Sequence, residues 1–294
     1  MLEFKKIVEN AIEKQAKSPI HINLRDDYPI LVIGDIHGYY DVVERFEEIL
    51  DEYGIKIAVL LGDYVDRGYE GLEVLEEILR LYNEEPNKIF ILRGNHESIE
   101  MNQYYGFYDE ILSKLGKESI NYLRQIYSSL SISVNNDKIF FVHGGIPCID
   151  CKNKSLSLKI DYLNSLKNIK LSNEYLNLEN KIIFQMLWND PDGYVKWFEN
   201  NNVRGEGVYY YGRYAWNKFL KENNLKLIIR GHEVVDGVHI WKADGTYINK
   251  VPNNKEFYYD TMEGSVITVF SSRYHVGRSG SLILYKDSIK FIEL

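Results

Sequence analysis

The sequence has little sulfur: two cysteines, Cys148 and Cys151, occur in 294 residues. That excludes a scaffold built on disulfides. Long apolar runs are missing too. The longest, such as 29–33 and 57–61, fall far short of the roughly 20 residues that a bilayer-spanning helix needs. The N-terminal residues carry no apolar leader, so a soluble, cytoplasmic protein is expected. Positive charge is not in excess. Thirty-five Lys and Arg against 43 Asp and Glu leave a net charge of −8, which gives no general attraction to nucleic acid or to an anionic membrane. Neither is expected as a partner. There is no internal repeat and no low-complexity linker. The chain therefore reads as a single domain, 1–294, with an N-terminal helix over 2–17 packed on it. With 45% hydrophobic and 27% charged residues, the composition is ordinary for a globular protein and argues against disorder.

What is present alternates. Leu2, Ile7, Val8, Ala11 and Ile12 fall near a 3.6-residue period, and Ser18-Pro19 ends that helix. A strand follows over 30–33, a helix over 42–53, a strand over 57–61, a helix over 72–82 and a strand over 89–92. This order implies a parallel sheet with helices on its faces. Residues 107–129 and 152–182 read as helical. A hairpin is expected with strands over 131–134 and 138–142. Another strand is expected over 225–229. Beyond 234, short strands over 237–241, 246–249, 266–270, 281–285 and 289–292 predict a second, mostly antiparallel sheet.

Five of these strands end alike: Gly34-Asp35-Ile36-His37-Gly38, Gly62-Asp63-Tyr64-Val65-Asp66-Arg67-Gly68, Arg93-Gly94-Asn95-His96-Glu97, His143-Gly144-Gly145 and Arg230-Gly231-His232-Glu233. Each places glycine beside Asp, Asn or His. Ligands in open α/β sheets gather at the carboxyl ends of strands, and glycine permits sharp turns and close backbone approach. Carboxylates, imidazoles and a carboxamide without thiolates suit borderline divalent metals such as Mn, Fe or Zn. There are more donors than one ion needs, which fits two ions about 3.5–4 Å apart sharing a carboxylate. Arg67 and Arg93 add planar donors suited to phosphate. Any one of these residues alone is more often a turn or a structural histidine; five strand ends in register are hard to attribute to coincidence.

The first three motifs resemble the signature triplet of the phosphoprotein phosphatase family of metal-dependent serine/threonine phosphatases, in its compact archaeal or bacterial form. His143-Gly-Gly, Leu187-Trp-Asn-Asp-Pro191, Arg204-Gly-Glu-Gly207 and Arg230-Gly-His232 resemble the family's later motifs in the same order, so the likeness runs over about 30–286. It implies an α/β fold, a metallophosphoesterase-type β-sandwich of two mixed sheets flanked by helices. It implies that Asp35 and His37 bind a first metal, that Asp63 bridges, and that Asn95, His143 and His232 complete a second. His96 would be the general acid, oriented by Asp66, and Arg67 and Arg204 would hold the phosphoryl oxygens, with Asn95 also near the substrate. Asp190 would support an arginine. The cofactors implied are two divalent ions, manganese in vitro, with iron or zinc as alternatives. The partners implied are phosphoprotein substrates. The reaction implied is direct attack by a water whose pKa is lowered from 15.7 towards roughly 7, without a phosphoenzyme.

The sequence departs from the family near its C-terminus, where Phe270-Ser-Ser-Arg-Tyr-His-Val-Gly277 replaces the usual Ser-Ala-Pro-Asn-Tyr-Cys. Tyr274 takes the place of the family tyrosine and is expected at the substrate. Arg273 and His275 read as ordinary loop residues, His21 and His239 as structural or surface ones, and Cys148 and Cys151 as incidentally placed, with a local disulfide or redox sensitivity as the lesser reading. Two other readings stand beside the protein phosphatase. One is a hydrolase of dinucleoside polyphosphates or small phosphoesters, since dinucleoside tetraphosphatases share the triplet. The other is a non-catalytic phosphoprotein-binding module. The 187–191 and 204–207 motifs favour the protein phosphatase, and the complete donor set argues against a dead site.

Overall fold

The computed structural model describes residues 2–25, 27–151, 157–166, 180–275 and 277–294. Helix α1 (Leu2–Gln15) and strand β1 (His21–Asn23) lead into an alternating stretch: β2 (Ile30–Ile33), α2 (Tyr40–Glu52), β3 (Ile57–Leu60), α3 (Gly71–Glu84) and β4 (Ile89–Ile91). Three helices follow, α4 (Ile99–Tyr105), α5 (Phe107–Leu115) and α6 (Ser119–Ser129), and then the hairpin strands β5 (Ser133–Asn135) and β6 (Ile139–Val142). The middle holds α7 (Ile160–Ser165), α8 (Lys181–Trp188), β7 (Asp190–Pro191), β8 (Phe198–Asn200), β9 (Tyr209–Tyr211) and α9 (Arg213–Glu222). The last third holds β10 (Leu227–Arg230), β11 (Val238–Trp241), β12 (Tyr247–Ile248), β13 (Glu256–Tyr258), α10 (Tyr259–Met262), β14 (Ser265–Val269), β15 (Gly280–Leu284) and β16 (Ser288–Glu293).

Two mixed sheets dominate. One has the order β13-β16-β15-β2-β3-β4, the other β1-β5-β6-β10-β14-β11-β12; a small third sheet is β7-β9-β8. β2, β3 and β4 run parallel, as the strand–helix alternation requires, while β15 adds antiparallel to β2. In the other sheet β6, β10 and β14 are parallel neighbours.

Side chains alternate between faces along each strand, and this sorts the core into layers. Ile30, Val32, Ile57 and Val59 point into an apolar layer shared with Val134, Phe141, Leu227 and Ile229 of the opposing sheet. Leu31, Ile33, Ala58 and Leu60 point the other way, onto α1–α6. Phe140, Val142 and Ile228 meet α8 and α9 on the far face. The result is a two-sheet sandwich with helices outside both sheets. Phe4, Val8 and Ala11 bury one face of α1 in the same layer as α3 and α6.

Several expectations are revised. The late strands do not form their own sheet: β11, β12 and β14 join β10, whereas β15 and β16 extend the parallel β2–β4 set. Strands buried on both faces show where a strand lies, but not which neighbour it takes. The helical stretch over 107–129 is broken at Gly116, whose positive φ of 82° ends α5. α4, α9, β1 and β13 add elements that periodicity did not reveal. Of 152–182, the structure describes α7 and the start of α8; 152–156 and 167–179 lie outside the described residues. Cys148 and Cys151 are not incidental. Their Cα atoms are 5.5 Å apart and they form a disulfide, a separation within the reach of that bond. No helix among the described residues is long and apolar enough to cross a membrane.

Candidate active site

The carboxyl ends of β2, β3, β4, β6 and β10 converge, and each delivers the residues that follow it. The turns there are tight. Of the seven described non-glycine residues with positive φ, five lie here: His37 (54°), Asp63 (56°), Asp66 (69°), Arg67 (73°) and His232 (69°). Such backbone costs free energy and persists where the surrounding structure fixes it, typically at functional sites. Two glycines make room. A Cβ on Gly94 would sit 2.2 Å from Asp63 Oδ1, and one on Gly231 would sit 2.4 Å from Asp35 Oδ1.

The imidazoles are locked by their surroundings. His37 Nδ1 donates to the Val65 carbonyl at 3.0 Å, which leaves Nε2 aimed between Asp35 Oδ2 at 3.9 Å and Asp63 Oδ2 at 3.7 Å. His143 Nδ1 donates to the Leu61 carbonyl at 3.0 Å. Its Nε2 then faces Asn95 Oδ1 at 2.9 Å and Asp63 Oδ2 at 3.3 Å. His232 Nδ1 lies 2.8 Å from the same Asn95 oxygen, while its backbone N–H donates to Asp35 Oδ1 at 2.8 Å. The buried His232 Nε2 has no hydrogen-bond partner among the described residues. Donor atoms of His37, Asp63 and His96 lie within 4.8 Å of one another, as do those of Asp63, His143 and His232. Asp63 belongs to both sets.

A ring nitrogen whose other nitrogen already donates has only a lone pair to offer the oxygens in front of it. A positive charge, proton or metal ion, must lie between them. Burial and the neighbouring His96 charge hold His37 down at about 4. Burial and Arg204 hold His232 well below the usual histidine range. Neutral imidazoles are the form that ligates metals. Burial, with Asp63 next to it, raises Asp35 to about 6: two carboxylates in this pocket need a shared cation. Burial opposes protonation of His143, but the Asp63 carboxylate outweighs it and raises the imidazole. The donor set of Asp35, His37, Asp63, Asn95, His143 and His232 therefore fits two divalent ions, with oxygen and nitrogen ligands and no sulfur.

His96 differs from the others. Its Nδ1 lies 2.7 Å from Asp66 Oδ2, and its backbone N–H donates to Asp63 Oδ1 at 2.8 Å. Burial opposes its charge, but Asp63 and Asp66 prevail and raise its pKa. Asp66 also accepts from Asn102 Nδ2 at 3.0 Å and from the Phe107 N–H at 3.1 Å. Tyr127 donates to Asn102 Oδ1 at 2.9 Å. Glu97 is fully buried and accepts from the N–H groups of Asp63, Tyr64 and Gly94, tying the β3 and β4 turns together. Burial and Asp63 push its carboxyl up to about 7, against those three donors.

The arginines divide by role. Arg204 Nε donates to Asp190 Oδ2 at 2.9 Å and its NH2 to the His232 carbonyl at 3.3 Å. Asp190 also takes Arg230 NH2 at 2.8 Å. Arg67 lies beside Tyr274, NH1 to hydroxyl 3.2 Å, and Tyr274 approaches His37 with ring centroids 6.0 Å apart. Arg93, expected to offer donors to phosphate, is buried instead, with Nε donating to the Glu97 carbonyl at 3.1 Å. It braces its own turn. Arg273 anchors the divergent loop through Asp41 at 2.8 Å and the Leu294 carbonyl at 3.0 Å. His21 is buried and structural, between Ser133 and Asn135. The sequence did not disclose Asn102, Tyr105 and Tyr127. They come from α4 and α6, and no motif marks them.

This arrangement of a two-sheet sandwich with Asp, His and Asn at its strand ends defines a metallophosphoesterase. Residues 28–236 match the family described as calcineurin-like phosphoesterase, and the chain belongs to it. Within that class it is a member of the phosphoprotein phosphatase family. It is 32% identical over 274 residues to the serine/threonine-protein phosphatase 4 catalytic subunit of Candida glabrata, covering 90% of this chain and 77% of that one. It is 34% identical over 239 residues to a protein phosphatase 2A catalytic subunit of Dictyostelium discoideum, covering 76% and 71%. Among solved structures, a protein serine/threonine phosphatase from Saccharomyces cerevisiae superposes with a TM-score of 0.77 at 22% identity, over 99% of this chain and 89% of that one. A cold-active protein-tyrosine phosphatase of a Shewanella species shares the fold, with a TM-score of 0.59 at 19% identity over 93% and 80%.

Proposed function

We propose that this protein removes phosphate from phosphoserine and phosphothreonine in proteins by direct hydrolysis, and that the whole chain acts as one catalytic unit. The observation that carries the reading is Asp63, a carboxylate common to two donor sets, one of which also contains the carboxylate-held His96, with two arginines nearby. The names of the Candida and Dictyostelium relatives support the substrate class.

Asp35, His37 and Asp63 would hold one divalent ion, and Asp63, Asn95, His143 and His232 the other. When bound, two such ions supply Lewis acidity towards phosphoryl oxygens and a water acidic enough to act as nucleophile at neutral pH. Arg67 and Arg204 present planar N–H donors to the phosphoryl oxygens and stabilise charge that grows in the transition state. Asp66 fixes the His96 ring, so that Nε2 carries the proton that the departing serine or threonine oxygen needs. No side chain becomes phosphorylated.

Manganese is the ion to supply first, with iron and zinc as alternatives. The test is turnover by the manganese-loaded protein of phosphoserine, phosphothreonine and phosphotyrosine peptides, p-nitrophenyl phosphate and diadenosine tetraphosphate. The expected result is preference for the phosphoserine and phosphothreonine peptides, abolished by EDTA and restored by manganese. Faster turnover of the dinucleotide would overturn the substrate assignment, and no turnover with any divalent ion would overturn the enzyme.

A further inference from the structure

The two arginines at this site are held by different chemistry. Arg204 has a carboxylate, Asp190, at 2.9 Å. Among the described residues, no carboxylate lies within ion-pair distance of Arg67. An aromatic ring lies there instead. The Arg67 guanidinium carbon is 3.7 Å from the ring centroid of Tyr105 and 4.8 Å from that of Tyr274. The Arg67 backbone N–H donates to the Tyr105 carbonyl at 3.3 Å. That carbonyl is available because Tyr105 is the last residue of α4, where helical carbonyls lose their partners. Arg67 Nε is buried and has no hydrogen-bond partner among the described residues.

From this geometry we infer that Tyr105 is a positioning residue for Arg67, holding the guanidinium flat so that its N–H edge meets a phosphoryl group; the inference rests on the phosphatase reading above. A carboxylate would neutralise Arg67 and compete with the phosphate dianion. A ring face orients the cation through its quadrupole and leaves the charge available. Arg67 adopts a left-handed backbone, φ 73°, and its guanidinium lies against Tyr105 at the end of α4. Tyr274 also lies against the guanidinium, and its hydroxyl accepts from NH1 at 3.2 Å.

The same ring also touches the proton donor. Tyr105 and His96 have ring centroids 4.9 Å apart, so a substitution could act through His96 instead. The experiment separates the two routes. Inorganic phosphate binding to the manganese-loaded protein is measured by calorimetry and as inhibition of p-nitrophenyl phosphate turnover, alongside the pH profile of kcat. Tyr105→Leu is expected to weaken phosphate about tenfold, with metal content and the pH profile unmoved. Tyr105→Phe keeps the ring and restores affinity to within about twofold. In an Arg67→Ala background, Tyr105→Leu is expected to cost nothing further, the signature of two residues acting as one. Additive losses in an active enzyme would overturn the clamp alone. Unchanged phosphate affinity with a displaced pH profile would assign the ring to His96. A wild-type protein that neither binds phosphate nor turns over p-nitrophenyl phosphate would overturn the phosphatase reading beneath it.

Discussion

His96 Nδ1 and Asp66 Oδ2 lie 2.7 Å apart, and both side chains are buried. The carboxylate is held in turn by Asn102 and the Phe107 N–H, so the imidazole has one orientation. His96→Asn should reduce kcat by about 10²–10⁴-fold, the usual contribution of a positioned acid. Metal content, measured by atomic emission, should stay at the wild-type level. Loss of metal in that variant would make His96 a ligand, a role its place in the first donor set allows.

Asp66→Asn tests the sign of the electrostatics. Burial lowers the His96 pKa, while Asp63 and Asp66 raise it. Removing the Asp66 charge should therefore lower it. A general acid works only while protonated, so the alkaline fall in kcat should move to lower pH. A profile displaced upward, or left in place, would show that Asp66 does not tune His96.

Asp63→Asn should impair both metal sites together, because both donor sets contain this carboxylate. The measurement is metal stoichiometry after gel filtration in metal-free buffer. Retention of two ions per chain would refute the bridging role.

Much of this site is legible in the sequence, for a physical reason. A strand end that must turn sharply and present a ligand needs glycine beside a polar residue, and that pair is local and visible. Asp35, Asp63, Asn95, His143 and His232 all announce themselves in this way. Asp66 and Arg67 also sit inside such a turn. Tyr105, Asn102 and Tyr127 do not. They reach the site from helices α4 and α6, where the surrounding residues follow helical periodicity and a buried asparagine looks like a surface one. Sheet partnership was hidden for a similar reason. β15 and β14 are equally apolar, yet β15 pairs with β2 and β14 with β10. Nothing in their own residues distinguishes those neighbours.

Gly231→Ala probes close approach. The added Cβ would lie 2.4 Å from Asp35 Oδ1, the oxygen that accepts from the His232 N–H. The backbone would tolerate alanine, since Gly231 does not have positive φ. The damage should therefore fall on the carboxylate. Metal affinity should drop about 10–100-fold, as when other supporting contacts are lost, with little change in the folded content seen by circular dichroism. Unaltered affinity would mean that Asp35 can move aside without cost.

His21 is buried between Ser133 Oγ at 2.8 Å and Asn135 Oδ1 at 2.7 Å. Burial lowers its pKa to about 4, against the raising effect of hydrogen bonds to Asn135 and Asn23. Between the ordinary histidine value near 6.5 and about 4, the unfolded chain binds a proton that the folded chain refuses. Stability from this residue is therefore complete above pH 6.5 and falls as the solution is acidified. By pH 5 the loss should be about 2 kcal/mol. His21→Asn removes the titrating group while leaving a polar side chain between the same partners. Urea unfolding of both proteins at pH 7.5 and pH 5 should show the wild-type advantage shrinking by that amount. An advantage that is the same at both pH values would show that His21 titrates alike in the folded and unfolded chains.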